Sequence, residues 1–180
     1  AVANLAKTLT NYGMGKVTFF VGERLSYPDE EIVQGSADSF CDYEGDALSV
    51  IYIENKGAEC LPSTHGVKDS VFLRDKVPMT KEEVRCVSLA KLGLKEDSVC
   101  YDVGAGTGSV SVEMALRTPK GRVYAIEKKE TAVELLKKNK QKFMTDNLSV
   151  IEGVAPEALE ALEVPTHAFI GGSSGNMESI

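Results

Sequence analysis

The residues with the clearest potential for chemistry lie in the stretch YDVGAGTGS, at positions 101–109. Glycines stand at every second position of this loop, and Asp102 lies two residues before the first of them. Because glycine lacks a side chain, such a loop can turn tightly and let a ligand reach main-chain N–H groups. The loop residues expected to contact a ligand are Gly104, Ala105, Gly106, Gly108 and Ser109.

Two classes of ligand suit a loop of this kind. The dinucleotide fingerprint G-x-G-x-x-G would place its third glycine at position 109, which is Ser109. The pattern present is D-x-G-x-G-x-G, which is typical of methyltransferases that use S-adenosyl-L-methionine. Asp102 ends a predicted strand, where a carboxylate can attract the ammonium of the cationic methionine portion, directly or through water. The loop therefore favours S-adenosylmethionine over a dinucleotide.

A second carboxylate supports this interpretation. Glu127 lies 19 residues after Gly108, at the tip of the next predicted strand, and Lys128 follows it. This is the usual place for an acid that accepts hydrogen bonds from both hydroxyls of a ribose. Either acid alone can be an ordinary residue at a strand end, but the two at this spacing predict a bound nucleoside.

Two further strand tips belong to the predicted site. The residues after the third strand are Gly153, Val154 and Ala155, where a main-chain N–H can donate to an adenine ring. Many related enzymes place an acid at the position of Val154, so a side-chain contact to the adenine amino group is not expected here. The fourth strand leads into Gly171 and Gly172, where a methyl acceptor would lie. The alternative for these two glycines is an ordinary turn.

The elements that position these residues alternate between strand and helix. The predicted strands are residues 98–103, 121–127, 148–153 and 166–171. One predicted helix starts at the capping box Thr80 to Glu83 and ends at Gly93. Three others cover residues 109–117, 131–143 and 156–162. This alternation predicts an α/β domain with a parallel sheet and helices on both faces.

The first third of the chain has a different pattern of predicted elements. Helical spacing covers residues 2–12, and β-rich runs occupy 16–21 and 48–54. Pro28 with the acids after it predicts the start of a helix between these runs. Residues 55–68 combine two glycines, a proline and small polar residues, so we interpret them as a linker.

Composition narrows the possible functions. The chain of 180 residues has a net charge of −7, and residues 1–54 carry 3 basic and 9 acidic side chains. This balance argues against nucleic acid as a partner, because nucleic-acid binding needs a basic face. The four cysteines are separated by 19, 26 and 14 positions, which fits no metal site and favours a reducing, cytoplasmic setting. The longest apolar runs are too short to cross a membrane.

Several motifs carry a specific resemblance. The segments PMTKEEVR, YDVGAGTGSVSVE, IEGVAPEAL and AFIGGSSG, in this order, resemble the C15-methylating, decarboxylating domain of the precorrin methyltransferases of cobalamin biosynthesis. Upstream, VGERLSYPDEEIVQGSA and LSVIYIEN resemble the last part of the C5-methylating domain, a member of the tetrapyrrole methylase family. The resemblance implies a C-terminal C5-domain fragment at 1–54, a linker at 55–68 and a C15 domain at 69–180 that is truncated at its C-terminus.

The resemblance also implies an activity. It is the S-adenosylmethionine-dependent methylation of a corrin precursor at C15, coupled to loss of carbon dioxide from the acetate on C12, in a Rossmann-like class I methyltransferase fold. The family suggests a homotetramer. C5 methylation is not assigned to this chain, because the cofactor loops of that domain should lie mostly upstream. Residues 1–54 should pack poorly alone unless another chain completes them.

Roles for side chains outside the glycine loop follow from the same resemblance. Thr80 and Lys81 are candidates for contact with the cofactor or the substrate, and Glu113 is a weak catalytic candidate. The alternative for Thr80 is a simple helix cap, and for Lys81 a solvated cation. The substrate carries many carboxylates, and the cations suggested to hold them are Arg74, Lys76, Lys81 and Arg85.

Three other hypotheses about function remain open at this point. A tRNA methyltransferase of related fold would use the lysines at 137, 138, 140 and 142, although cations are favoured at a helix C-terminus in any case. An NAD-dependent enzyme is weakened by Ser109. The third hypothesis is that the chain is an incomplete cofactor-binding module without activity.

Overall fold

A computed structural model describes residues 1–56, 66–173, 175 and 177–180. The chain forms two compact units, Ala1–Leu61 and Pro62–Ile180. Their boundary falls inside the segment 55–68 that the sequence predicts to be a linker, and most of that segment lies outside the described residues. No helix in the described part of the chain has the length and apolar character needed to cross a membrane.

The first unit is a three-stranded antiparallel sheet with a helix packed on one face. Strands β1 (Thr18–Glu23), β2 (Glu31–Ser36) and β3 (Ser49–Glu54) run in the order β2-β1-β3. Helix α1 (Val2–Asn11) packs its buried residues Val2 and Ala6 in one core with Phe19 and Val21 of β1. The alternation of side chains along a strand directs Phe19 and Val21 to the same face.

Two expectations for this unit were wrong or incomplete. The acids after Pro28 do not start a helix, because the following residues pair with β1 from Glu23↔Glu31 to Thr18↔Ser36. The unit also has a buried core, contrary to the expected poor packing. Its outer sheet face nevertheless exposes large apolar side chains, and these include Ile32 at 67%, Val50 at 63% and Tyr52 at 62%.

The second unit is a parallel four-stranded sheet covered by helices. The strands are β4 (Val99–Val103), β5 (Arg122–Glu127), β6 (Leu148–Glu152) and β7 (His167–Ile170), in the order β6-β5-β4-β7. The helices are α2 (Glu82–Leu92), α3 (Ser109–Arg117) and α4 (Glu130–Phe143). This arrangement confirms the predicted α/β fold class.

The order of the strands determines where a ligand can bind. The chain passes from β4 outward to β5 and β6, and then returns to place β7 on the other side of β4. A parallel sheet opens a crevice at such a switch point, beyond the carboxyl ends of its strands. The glycine loop 104–108 follows β4 at this edge.

Two helix predictions in this unit were wrong in detail. Residues 156–162 form no α-helix, and only Glu157–Leu159 make a 3-10 turn. In a segment this short, too few residues follow the first turn to offset the free-energy cost of nucleating a helix. Helix α2 starts one residue later than the predicted capping box, with Lys81 as N-cap and no side-chain cap bond. The predicted stop is confirmed, because Gly93 takes the left-handed conformation at the end of α2.

Candidate functional site

A cavity of about 480 Å³ lies at the carboxyl edge of the parallel sheet, within the size range of ligand pockets. Most of the predicted site residues line it. Those brought together there are Thr80, Gly104, Ala105, Gly106, Glu127, Lys128, Gly153, Val154, Ala155, Gly171 and Gly172. The four strand tips therefore contribute to one site, as the parallel order requires.

The glycine loop forms one wall of the cavity and is itself tightly packed. Gly104, Gly106 and Gly108 all have positive φ angles, of 75°, 55° and 75°. A Cβ atom on Gly104 would lie 2.5 Å from the Gly172 carbonyl oxygen, and one on Gly106 would lie 2.8 Å from the Pro78 carbonyl oxygen. Backbone conformation and contacts within the protein therefore require glycine here, so ligand access is not the whole reason for the pattern.

The loop amides also differ from the expectation that they are open to a ligand. The amides of Gly104 and Ala105 donate to the Ile126 carbonyl at 2.9 and 3.1 Å, and the Gly106 amide donates to Glu127 Oε2 at 2.9 Å. These three N–H groups have acceptors inside the protein, so they are not free to donate to a ligand. A pyrophosphate, which needs such donors, is therefore poorly served by this wall.

Glu127 is held firmly at the floor of the cavity. Its Oε1 accepts the main-chain amides of Lys128 and Lys129, both at 2.9 Å, while Oε2 accepts the amide of Gly106. The residue is only 8% exposed. A carboxylate has about four lone-pair sites, so Oε2 keeps acceptor capacity for a hydroxyl of a ligand. Glu127 and the glycine loop are therefore in contact, as the sequence predicts.

Asp102 does not reach the cavity. The residue is 1% exposed, and its carboxylate accepts a hydrogen bond from the Ser111 hydroxyl of α3. Successive residues of a strand face opposite sides, so Val103 lines the cavity while Asp102 points toward the helix. Burial raises the pKa of Asp102 to about 6, partly offset by the hydrogen bonds from Ser111. The expected contact with a cationic methionine portion is not supported by this placement.

Gly108 and Ser109 also lie behind the cavity wall. Gly108 precedes α3, and a Cβ atom there would lie 2.6 Å from Leu136 Cγ. Ser109 is the first residue of α3 and is 2% exposed. Both were predicted to contact the ligand, but neither lines the cavity, because the chain has already turned into the helix.

The segment 66–80, here called the strap, is anchored by a buried ion pair. Arg85 is fully buried, and its Nε donates to Glu113 Oε1 at 2.6 Å. Its Nη1 donates to the Thr80 carbonyl at 2.6 Å and to Asp69 Oδ1 at 3.1 Å. Glu113 in turn accepts the amides of Gly66 and Val67, at 3.1 and 3.2 Å.

This network corrects two predicted roles. Arg85 cannot hold a substrate carboxylate, because its guanidinium is buried and already bonded to two acids. Glu113, suggested as a weak catalytic candidate, is 1% exposed and lies in the same network instead of the cavity. Among the other suggested cations, Lys81 is 3.7 Å from Asp69, while Arg74 and Lys76 are exposed and do not line the cavity.

Some cavity residues were missed from the sequence. They are Val77, Pro78, Met79, Val103, Ile126, Lys129, Ala132, Ser173 and Ile180. Val103, Ile126 and Lys129 adjoin predicted residues, so their position in the chain was a usable signal. Val77 to Met79 come from the strap, whose approach to the glycine loop depends on tertiary contacts.

The parallel sheet with its switch point, the glycine loop and the carboxylate at the next strand tip define a Rossmann-like α/β domain with the layout of a cofactor site. Residues 70–180 match the family model of the precorrin methyltransferase domain, and the chain belongs to this family.

Individual relatives agree with this family. The chain is 46% identical over 117 residues to a probable cobalt-precorrin-6B C(15)-methyltransferase (decarboxylating) from Sulfurisphaera tokodaii, covering 64% of this chain and 61% of the relative. A crystal structure of a precorrin-6Y C5,15-methyltransferase from Geobacter metallireducens has 41% identity and a TM-score of 0.63, covering 66% of this chain and 62% of that one.

A second solved structure is the precorrin 8W decarboxylase of Methanobacterium thermoautotrophicum. It has 37% identity and a TM-score of 0.60, covering 63% of this chain and 62% of that one. The chain thus spans about three fifths of the length of the relatives it matches.

Proposed function

We propose that residues 69–180 bind S-adenosyl-L-methionine and methylate C15 of a corrin precursor, precorrin-6B or its cobalt form, with loss of carbon dioxide from the C12 acetate. The observation that carries this proposal is the Glu127 carboxylate fixed beside the glycine loop in one cavity. The named activities of the relatives supply the reaction and the substrate class.

The residues present fit this cofactor. Glu127 would accept hydrogen bonds from the ribose, and the loop 104–106 would lie along the methionine portion. The apolar side chains of Ile126, Val154 and Ala155 line the same cavity and suit an adenine ring. An NAD-type pyrophosphate fits less well, because the amides of the loop already have acceptors within the protein.

When bound, S-adenosylmethionine supplies a methyl group attached to a positively charged sulfur, and S-adenosyl-L-homocysteine is the product. The ionisable side chains among the described cavity residues are Glu127, Lys128 and Lys129. With so few such groups at hand, we infer that this chain acts mainly by positioning its ligands. Thr80 lines the cavity and remains the candidate for a polar contact near the reacting atoms. Arg74 and Lys76 remain candidates for the substrate carboxylates.

The first unit carries a separate proposal. We infer that residues 1–54 are the last part of a C5-methylating tetrapyrrole methylase domain, on the resemblance of residues 21–37 and 48–55 to that family. No C5 activity is assigned to this chain. A homotetramer built through the C15 domain remains a prediction, and gel filtration with light scattering tests it.

Titration calorimetry with S-adenosylhomocysteine tests cofactor binding. We expect Glu127→Gln to lower the affinity about tenfold or more, since one carboxylate acceptor is lost while three main-chain amides still need partners. Glu152→Gln is the matched control, because Glu152 pairs with Glu127 in the sheet register but is exposed and outside the cavity.

Absence of binding to the wild-type chain, or an equal loss in both variants, would contradict the proposal. NAD serves as a second ligand, for which no heat of binding is expected. Incubation with a corrin precursor, with methylation and carbon dioxide release scored separately, then tests the reaction itself.

A further inference from the structure

A buried asparagine on α4 joins the glycine loop to the strap. Asn139 is fully buried, and its Nδ2 donates to the Thr107 carbonyl at 2.9 Å and to the Leu73 carbonyl at 2.8 Å. Its Oδ1 accepts the Leu73 amide at 2.8 Å. Both N–H groups of the side-chain amide are thus used, and its oxygen is bonded as well.

This pattern of donors and acceptors requires an asparagine. Two carbonyls need donors and one amide needs an acceptor, so the orientation of the side-chain amide is fixed by its partners. An aspartate of the same shape has no donor for the carbonyls, and a leucine has neither donor nor acceptor. Residue 139 therefore does more than fill space on the buried face of the helix.

Both partners of Asn139 belong to backbone segments whose other residues line the cavity. Thr107 lies between Gly106 and Gly108 in the glycine loop. Leu73 lies in the strap, whose residues 77–80 also line the cavity, and the Pro78 carbonyl packs against Gly106. Neither Leu73, Thr107 nor Asn139 lines the cavity, so any effect of Asn139 on a ligand is transmitted through the backbone it holds.

We propose that Asn139 is a positioning residue for the cofactor site: it fixes the glycine loop and the strap as one unit, and so sets the shape of the cavity. This inference rests on the proposed function, because S-adenosylhomocysteine is the ligand used to test it. It predicts that ligand affinity and the order of both segments change together when Asn139 loses its donors.

The second unit provides a matched control. Asn147 also uses its Nδ2 to hold two main-chain carbonyls, those of Ala115 at 3.0 Å and Thr118 at 2.7 Å. These carbonyls belong to the end of α3 and the turn after it, which do not line the cavity. The same substitution at both asparagines removes the same pair of donors, either from backbone joined to the cavity wall or from backbone away from it.

The experiment compares Asn139→Asp and Asn147→Asp in the full 180-residue chain, at a temperature where circular dichroism shows both variants folded. We expect Asn139→Asp to weaken S-adenosylhomocysteine binding about tenfold or more, and Asn147→Asp to leave it within about twofold. Hydrogen exchange of the ligand-free chains should be faster at residues 66–80 and 104–108 in Asn139→Asp alone.

The outcomes separate this inference from the proposed function. If the wild-type chain does not bind S-adenosylhomocysteine, the proposed function fails and the positioning role fails with it, while hydrogen exchange still shows whether Asn139 orders both segments. If the wild type binds and both variants bind equally well, or equally poorly, only the positioning role is overturned.

If Asn139→Asp does not fold, the wild-type chain provides the test. Saturating S-adenosylhomocysteine should then slow exchange of the Leu73 amide about tenfold or more, although Leu73 is outside the cavity. An unchanged rate at Leu73 in a chain that binds the ligand would overturn the inference.

Discussion

Asp102 and Glu127 lie near the carboxyl ends of neighbouring strands of one sheet, yet the fold gives the two carboxylates different surroundings. Glu127 accepts three main-chain amides at the edge of the cavity. Asp102 is enclosed beneath α3, where loss of water raises its pKa to about 6, against the ordinary value of 3.8. The Ser111 hydrogen bonds and the negative charge of Glu127 modify this shift in opposite directions.

The raised pKa of Asp102 predicts a pH-dependent stability. Between these two pKa values the folded chain binds more protons than the unfolded chain, so the contribution of Asp102 to the free energy of unfolding falls as pH rises. Asp102 loses this contribution as pH rises from about 4 to about 6, and its pKa shift corresponds to about 3 kcal/mol of free energy of unfolding. Asp102→Asn should remove this dependence.

Urea unfolding of the wild type and Asp102→Asn, measured from pH 4 to pH 8, checks this prediction. Other titrating groups are common to both proteins, so the difference between the two curves reports Asp102. The variant should gain stability relative to the wild type as pH rises through the window. Parallel curves would mean that Asp102 titrates normally despite its burial.

At the scale of elements, the glycine loop and the strap pack against each other without space for a side chain. Gly106 combines a φ of 55° with a neighbouring carbonyl at Pro78, whereas Gly93, at the end of α2, has a φ of 64° and no neighbour within 4 Å of a Cβ position. Comparing the two glycines therefore separates backbone strain from steric contact.

We expect Gly93→Ala to cost about 1–2 kcal/mol through its left-handed backbone alone, and Gly106→Ala to cost more. Gly106→Ala should also weaken S-adenosylhomocysteine binding, because the loop and the strap must separate to admit the methyl group. Urea unfolding and titration calorimetry on both variants measure these effects. Equal stability losses with unchanged affinity would show that the strap yields without disturbing the cavity.

The elements that the sequence predicts well are those defined by local patterns. Strands β4 to β7 lie within a residue or two of their predicted bounds, because each is a short apolar run between turn signals. The glycine loop and Glu127 were found for the same reason, since their spacing follows from consecutive strand tips. The helix predicted at 156–162 shows the limit, because a favourable composition did not extend a segment this short.

The remaining features depend on contacts between distant residues. Arg85 looks like a surface cation on a helix, but its partner Glu113 lies 28 positions away, and together they bury a charge pair. Asn139 meets Leu73 across 66 positions. No local period or motif indicates such pairs, so the anchoring of the strap, which brings residues 77–80 to the cavity, was not predictable.

At the scale of the whole molecule, the chain combines two units of different character. Most of the net charge of −7 belongs to residues 1–54, which carry 3 basic and 9 acidic side chains. The sheet of the first unit exposes one apolar face. The described residues that line the cavity lie between Val77 and Ile180, in the second unit. The match to the precorrin methyltransferase domain covers the same part, residues 70–180.

This division predicts that residues 62–180, produced alone, retain the cofactor site. The segment has its own buried core on both faces of the parallel sheet, including Leu89, Val112, Ile126 and Leu136. A compact unit with its own core can fold independently, so its affinity for S-adenosylhomocysteine should stay within about twofold of that of the whole chain. Titration calorimetry on both proteins measures this, and thermal unfolding shows whether the shorter one is cooperative. A cooperatively folded segment that failed to bind, beside a whole chain that did, would place part of the binding determinant in residues 1–61.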